Sequence, residues 1–142
     1  MINDSKVSGR GHSASCTILI VEDHDTVRKS LVSWFAVVLP RCDVLEAPSG
    51  EEALGIIREV PVDLVVMDIN LPGLNGIEVT EKIKSLRKEV RILILTIHEE
   101  ERYVDDARAA GADSYVTKSS MQSALLPEVE RLVFSIVDGR RL

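Results

Sequence analysis

Three short, unbroken runs of mostly aliphatic residues, at 17–21, 64–67 and 92–95, constrain the fold of this chain more than any other feature. A strand with one face in water alternates apolar and polar residues, whereas a strand covered on both faces is apolar at nearly every position. The runs therefore predict central strands of a parallel sheet with helices packed on both faces. Two weaker strand candidates lie at 43–47 and 114–117.

Helical patterns fill the gaps between these strands. Apolar residues recur at helical spacing in five stretches, the last of which carries Pro127 in its first turns. His24 is expected to open the first helix, Ser49 and Glu52 fit a capping box at the second, and Gly111 fits a left-handed C-terminal cap for the fourth. Because five strands alternate with five helices, we predict an α/β, doubly wound parallel sheet with the flavodoxin-like strand order 2-1-3-4-5.

Length and charge narrow the function classes. The 142 residues suit one domain, which we place at 16–138, between a polar N-terminal tail at 1–15, predicted to be disordered, and a C-terminal tail or start of a linker at 139–142. The net charge of −6 opposes a phosphate backbone, so we expect no direct nucleic acid contact by this domain. No apolar run reaches the ~20 residues of a membrane span, so we expect no membrane contact.

The chain has two cysteines, Cys16 and Cys42. Two are too few for a disulfide scaffold or a structural zinc site. They open the first and second strands, which are predicted neighbours. We nevertheless expect free thiols in a reducing compartment and place the protein in the cytoplasm.

Polar residues follow four of the strands directly: the Glu22–Asp23 pair after the first, Asp68 after the third, Thr96 at the end of the fourth and Lys118 after the fifth. The carboxyl ends of parallel strands share one edge of a sheet, where ligands bind. Three carboxylates at one edge repel one another unless a cation offsets them. Mg²⁺ suits a site of few carboxylates, waters and a phosphoryl oxygen, and a carboxylate is a nucleophile for phosphoryl transfer.

Four segments carry a resemblance to a known family: residues 18–23, residues 67–76 with their Pro-Gly turn, Thr96, and residues 111–118. Together they resemble the receiver domain of two-component response regulators, which has the CheY-like, flavodoxin-like fold. The resemblance extends over 17–138. Around Thr96 and Lys118 the chain looks most like the NarL/LuxR-like class of transcriptional regulators.

The resemblance implies a phosphoacceptor and a metal site. Asp68 would accept the phosphoryl group and also bind the metal. Asp23 would bind Mg²⁺ directly, Glu22 would act through a metal-bound water, and Asn70 would offer its backbone carbonyl. Mn²⁺ is an alternative ion.

The resemblance also implies how the phosphoryl group is held and read. Thr96 would bond a phosphoryl oxygen, Lys118 would form an ion pair with the phosphorylated aspartate, and Tyr115 would join Thr96 as a switch residue. A sensor histidine kinase or a phosphotransfer protein would supply the phosphoryl group. Phosphorylation would alter the surface of helix 4, strand 5 and helix 5 and promote a homodimer.

Two positions depart from the usual pattern. Glu22 stands where many receivers have aspartate. Ser119 follows Lys118 where many have proline after a cis bond, and a cis bond before a residue other than proline costs about 3 kcal/mol.

Two residues keep alternative interpretations. Thr96 also fits a cap for helix 4, with Glu99 at capping-box spacing. His98 either reaches the phosphoryl group from a second layer or is an exposed loop histidine.

Other functions compete with the receiver. A phosphohydrolase of the haloacid dehalogenase type needs an acid two residues after its nucleophile, where this chain has Asn70. A pseudo-receiver would bind partners without phosphorylation, and flavin binding would favour a phosphate loop rather than acids after the first strand. Only four residues follow Asp138, too few for a helix-turn-helix, so the expected output is either a DNA-binding domain absent from this chain or direct protein contact by a single-domain receiver.

Overall fold

A computed structural model describes residues 16–141, with side chains through residue 134; the predicted tail at 1–15 lies outside the described residues. The described chain alternates strands and helices, with a short 3₁₀ turn at Lys118–Ser120. The strands are β1 (Cys16–Val21), β2 (Cys42–Ala47), β3 (Leu64–Met67), β4 (Arg91–Thr96) and β5 (Ser114–Thr117), and the helices are α1 (Asp25–Val38), α2 (Gly50–Glu59), α3 (Gly76–Leu86), α4 (Glu101–Ala110) and α5 (Met121–Arg141). Among the helices of this range, none is long and apolar enough to cross a bilayer.

The five strands form one parallel sheet in the order β2-β1-β3-β4-β5, which confirms the predicted topology. Strand β1 lies between β2 and β3, so Ile18 pairs with Val44 on one side and Leu64 on the other. The carboxyl ends of all five strands therefore lie at the same edge of the sheet.

The apolar runs are unbroken because the sheet is covered on both faces. Successive side chains of a strand point to opposite faces. Leu19 and Val21 enter a core with residues of α2, α3 and α4, whereas Ile18 and Ile20 enter a second core with residues of α1 and α5. Each central strand thus contributes to two cores.

The helix ends follow most of the predicted caps, but at α2 only the Ser49 half of the predicted capping box is formed. His24 and Ser49 accept from the amides of Val27 and Glu52, and Gly111 ends α4 in the left-handed region at φ 112°. The predicted cap by Thr96 is wrong, because α4 begins only at Glu101 and has no side-chain cap.

Other boundaries also follow local contacts. Asn75 and Glu78 form a reciprocal capping box at α3. The last helix continues to Arg141, beyond the domain end predicted at 138.

Cys16 and Cys42 are joined by a disulfide, so the expectation of free thiols is wrong for this structure. The reason lies in the register: the two residues are direct partners in the parallel pairing of β1 and β2, with Cα atoms 4.7 Å apart. Both side chains also face the core under α1 and α5. The cellular compartment sets the redox conditions for the thiols, whereas the register of the two strands determines whether the sulfur atoms are close enough to bond.

We predict that reduction of this disulfide lowers the free energy of unfolding. The bond closes a loop between residues 26 apart in sequence. Constraining such a loop in the unfolded chain contributes about 3 kcal/mol. Urea unfolding with and without reductant measures the loss, and a Cys16→Ala, Cys42→Ala double variant should not respond to reductant. Equal urea midpoints for the parent under both conditions would contradict the prediction.

Candidate functional site

The edge of the sheet collects the side chains that follow β1, β3, β4 and β5. The backbone hydrogen bonds of the sheet continue for one residue past the ends of β1 and β3. The Glu22 amide donates to the Ala47 carbonyl and the Asp68 amide donates to the Val21 carbonyl, each over 3.1 Å. Glu22 and Asp68 are 3% and 6% exposed. Their carboxylates are therefore held by rigid backbone and need partners inside the protein.

Lys118 supplies the partner for both acids. Its Nζ lies 2.9 Å from Glu22 Oε1 and 3.1 Å from Asp68 Oδ2. The two bonds join residues 96 and 50 positions apart in sequence. One ammonium thus bridges the ends of β1 and β3 from the end of β5.

The pKa values of Glu22 and Lys118 are both raised, for different reasons. Burial raises the pKa of Glu22, and the negative charge of Asp68 adds to this; the hydrogen bonds from Lys118 and the His24 amide act against it. Burial acts to lower the pKa of Lys118, but the hydrogen bonds and charges of Glu22 and Asp68 outweigh it, so the pKa is raised. Lys118 is therefore held in its charged form.

The loop after β3 fixes the carboxylate of Asp68. The backbone amide of Asn70 donates to Asp68 Oδ1 over 3.1 Å, and Asp68 Oδ2 accepts from Lys118. Gly76 donates its amide to Ile69, and a Cβ at Gly76 would collide with the backbone carbonyl of Asp68. This role for Gly76 is not predicted from the sequence; its position just after the Pro-Gly turn is the signal that could have indicated it.

Asp23 does not join this network. Its side chain is exposed, and among the described residues no hydrogen bond or ion pair holds its carboxylate. Within the same range there is no cluster of three His, Cys, Asp or Glu side chains arranged to hold a metal ion. The edge therefore brings Glu22, Asp68 and Lys118 together, whereas Asp23, the next residue after Glu22, keeps its carboxylate oxygens free.

The residues present fit Mg²⁺ by charge and by donor type. Three carboxylates and one ammonium leave an excess negative charge of two, which a divalent cation cancels. Mg²⁺ binds through one or two carboxylates and keeps several waters, so it does not need a complete cage of protein ligands. Asp23 and Asp68 would hold the ion, with Glu22 and the Asn70 carbonyl at its periphery.

Thr96 is fully buried at the end of β4, and its hydroxyl is the buried side-chain atom without a hydrogen-bond partner in the described part of the chain. Buried polar groups are rarely left unpaired, since an unmade bond costs about 1–3 kcal/mol. The Thr96 hydroxyl is thus available to donate to an acceptor bound at this edge of the sheet.

His98 bridges three elements, so the expectation of an exposed loop histidine is wrong. Its Nε2 lies 2.8 Å from Asn70 Oδ1, and its ring stacks on Tyr103 with centroids 4.1 Å apart. Tyr115, which is half-buried, donates its hydroxyl to the His98 carbonyl over 2.8 Å. Burial, with the nearby charge of Glu100, raises the pKa of Tyr115 to about 12. The switch candidate is therefore tied to the loop that follows Thr96.

We predict that Thr96→Val leaves the stability of the metal-free protein unchanged or raises it by about 1 kcal/mol, because the change removes an unpaired buried hydroxyl. Thr80→Val is the matched control: Thr80 is equally buried, but its hydroxyl donates to Gly76 over 2.8 Å. The control should lose about 1 kcal/mol. Urea unfolding compares the two, and a larger loss for the Thr96 variant than for the Thr80 variant would contradict the prediction.

A family model of the response regulator receiver domain matches residues 18–130. The response regulator GacA of Pseudomonas viridiflava is 34% identical over 118 residues, which cover 83% of this chain and 55% of that protein. The response regulator UvrY of Escherichia coli strain K12 is 33% identical over 124 residues, which cover 87% of this chain and 55% of that protein. The chain therefore spans about half the length of these curated relatives.

Solved structures show the same similarity. A two-component response regulator of the LuxR family from Aurantimonas sp. SI85-9A1 superposes with a TM-score of 0.79 at 37% identity, covering 84% of this chain and 86% of that one. The response regulator TrrA of Thermotoga maritima, solved in complex with Mg²⁺ and BeF, gives a TM-score of 0.72 at 32% identity, covering 82% and 98%.

Proposed function

This chain belongs to the response regulator receiver family, and we propose that it accepts a phosphoryl group on Asp68. The observation that carries the proposal is the double ion pair of Lys118 with Glu22 and Asp68. A buried carboxylate is a nucleophile for phosphoryl transfer, and the fixed ammonium of Lys118 beside it supplies positive charge for the incoming phosphoryl oxygens. The unpaired hydroxyl of Thr96 supports the same function, because a phosphoryl oxygen is the acceptor it lacks.

The reaction we propose is a transfer from phosphohistidine. One Asp68 carboxylate oxygen attacks phosphorus, a P–O bond forms, and the P–N bond breaks with its electron pair going to the histidine nitrogen. Lys118 stabilises charge on the transferring oxygens, while the Asn70 amide and the close packing of Gly76 orient the carboxylate. When bound, Mg²⁺, or Mn²⁺ in its place, supplies further positive charge for those oxygens. Slow hydrolysis of the aspartyl phosphate by the domain itself would reset it.

Response regulators are phosphorylated by histidine kinases, and we propose a kinase or phosphotransfer protein as the partner here. A groove of about 710 Å³ lies between α1 and the first turns of α5, the helices that follow the loops carrying Asp23 and Lys118. Its lining is mainly apolar, with Val27, Leu31, Trp34, Met121 and Leu125 beside three polar residues. This groove suits the apolar side of a partner helix that presents the phosphohistidine. We further propose a cytoplasmic location on the ground of the receiver family alone, because the Cys16–Cys42 disulfide removes the argument from free thiols.

For the output we propose control of transcription, as the NarL/LuxR-like resemblance implies, through a DNA-binding domain outside this chain. Two other functions are alternatives to control of transcription. A phosphohydrolase is disfavoured because Asn70 is an amide that bonds to His98 rather than an acid able to protonate a leaving group. A receiver that acts by protein contact alone would share the same phosphorylation chemistry.

We predict that Asp68→Asn abolishes labelling by acetyl phosphate with Mg²⁺, because an amide is not a nucleophile. Intact mass spectrometry measures the added phosphoryl group, and a chelator should prevent labelling of the parent. Asp105→Asn is the control, since Asp105 is exposed and pairs only loosely with Arg108 on α4. Undiminished labelling of the Asp68 variant would refute the assignment, and a parent that binds partners but never labels would favour a pseudo-receiver.

We also propose that phosphorylation repacks the face formed by α4, β5 and α5. Once the Thr96 hydroxyl turns to the phosphoryl group, the following loop moves, and with it the carbonyl of His98 that Tyr115 binds. The phosphoryl group shifts the equilibrium between the two states only by as much as it stabilises one state over the other. A second copy of the chain, or another partner, reads the altered face.

We predict that beryllofluoride with Mg²⁺ moves the amide resonances of α4 and of Tyr115, in addition to those of the loops around Asp68. Thr96→Ala should still bind beryllofluoride, because Asp68 and Lys118 remain, yet lose the shifts in α4. Two-dimensional amide NMR measures both. Shifts confined to the loops in the parent would contradict the proposed switch.

A further inference from the structure

Arg28 is a buried arginine, 7% exposed, in the first turn of α1. A cation is unfavourable at the N-terminal end of a helix, where the helix dipole is positive. Two carboxylates offset it: Arg28 Nη2 lies 2.7 Å from Asp25 and Nε lies 2.8 Å from Glu46 on β2. The hydrogen bonds from Arg28 and Lys29 outweigh burial and lower the pKa of Glu46.

The third contact of Arg28 is to the backbone. Its Nη1 donates to the carbonyl of Glu22 over 2.9 Å, and this bond is buried. That carbonyl belongs to the peptide group between Glu22 and Asp23. The guanidinium therefore fixes the orientation of the peptide plane that precedes Asp23.

The peptide plane that follows Asp23 is fixed as well. The His24 amide donates to Glu22 Oε2 over 3.1 Å. Both peptide groups that flank the Cα of Asp23 are thus bound, although the Asp23 carboxylate itself has no partner among the described residues. The two hydrogen bonds fix the backbone of Asp23 and therefore the direction of its Cα–Cβ bond.

We propose that Arg28 is a positioning residue for Mg²⁺ binding, which it promotes by holding the Glu22 carbonyl and thereby orienting Asp23; the inference rests on the proposed phosphoacceptor function. A ligand held in place before the ion arrives loses less conformational freedom on binding. Arginine suits this role and lysine does not, because a planar guanidinium reaches three acceptors in fixed directions.

The first test is a calorimetric titration of Mg²⁺ into folded protein. Changing a residue that orients a metal ligand costs about tenfold or more in affinity, so Arg28→Lys should weaken binding by about tenfold. Lys29→Met is the matched control, since Lys29 also pairs with Glu46, at 3.3 Å, and makes no hydrogen bond to Glu22. Glu46→Gln removes an ion pair of Arg28 and leaves the Glu22 contact. Both controls should change the affinity by less than about twofold, as expected for part-exposed ion pairs.

The second test needs no metal. Amide NMR relaxation should report a rigid backbone at Asp23 in the parent, with an order parameter near 0.85, and a fall toward 0.6 in Arg28→Lys. The Lys29→Met control should keep the parent value. If Arg28→Lys melts below the temperature of the experiments, Arg28→Gln, which keeps an amide donor but not the fork, is measured instead with the same expectation.

Three outcomes would overturn the inference: an Arg28 variant that binds Mg²⁺ like the parent, a Glu46→Gln variant that loses as much affinity as Arg28→Lys, or an unchanged order parameter at Asp23. A parent chain that binds no Mg²⁺ while Asp23 loosens in Arg28→Lys would instead contradict the proposed function. The role of Arg28 in holding the loop would then survive without its purpose in metal binding.

Discussion

The ion pairs that Lys118 makes with Glu22 and Asp68 are the interaction on which the edge of this sheet depends. Two carboxylates, each almost fully buried, face one ammonium at 2.9 and 3.1 Å. Removing one member of a buried charged network leaves the others uncompensated, at a cost larger than the pair contributes. Glu22, Asp68 and Lys118 therefore hold the ends of β1, β3 and β5 in one geometry, and every other feature of the site is arranged around that geometry.

Two polar groups of the site lie outside this network and have no bonding partner among the described residues. The Thr96 hydroxyl is buried without a partner, and the Asp23 carboxylate is exposed without one among the described residues. The first can serve a phosphoryl oxygen and the second a hard cation, so each matches one part of the proposed reaction. The backbone contacts from Arg28, Asn70 and Gly76 fix the loops that present these groups. The Thr96 hydroxyl and the Asp23 carboxylate are therefore held in position before they have a bonding partner.

Much of the architecture could be predicted because it depends on local pattern. Apolar runs at 17–21, 64–67 and 92–95 indicate doubly covered strands, and parallel strands bring Glu22, Asp68, Thr96 and Lys118 to one edge of the sheet. What could not be predicted depends on contacts across the fold. The disulfide requires the register of β1 against β2, and the late start of α4 follows from a loop whose His98 bonds to Asn70 and stacks on Tyr103. Arg28 has no sequence signal that separates it from other charged residues of a helix, because its acceptors on Glu22, Asp25 and Glu46 meet only in the fold.

Chemical identification of the phosphorylated residue is the decisive experiment on this protein. Borohydride reduces an aspartyl phosphate to homoserine, so the parent chain is phosphorylated with acetyl phosphate and Mg²⁺, reduced, digested and mapped by mass spectrometry. The account predicts homoserine at position 68 and at no other aspartate. Homoserine at another aspartate, or none in a chain that has gained a phosphoryl group, would contradict it.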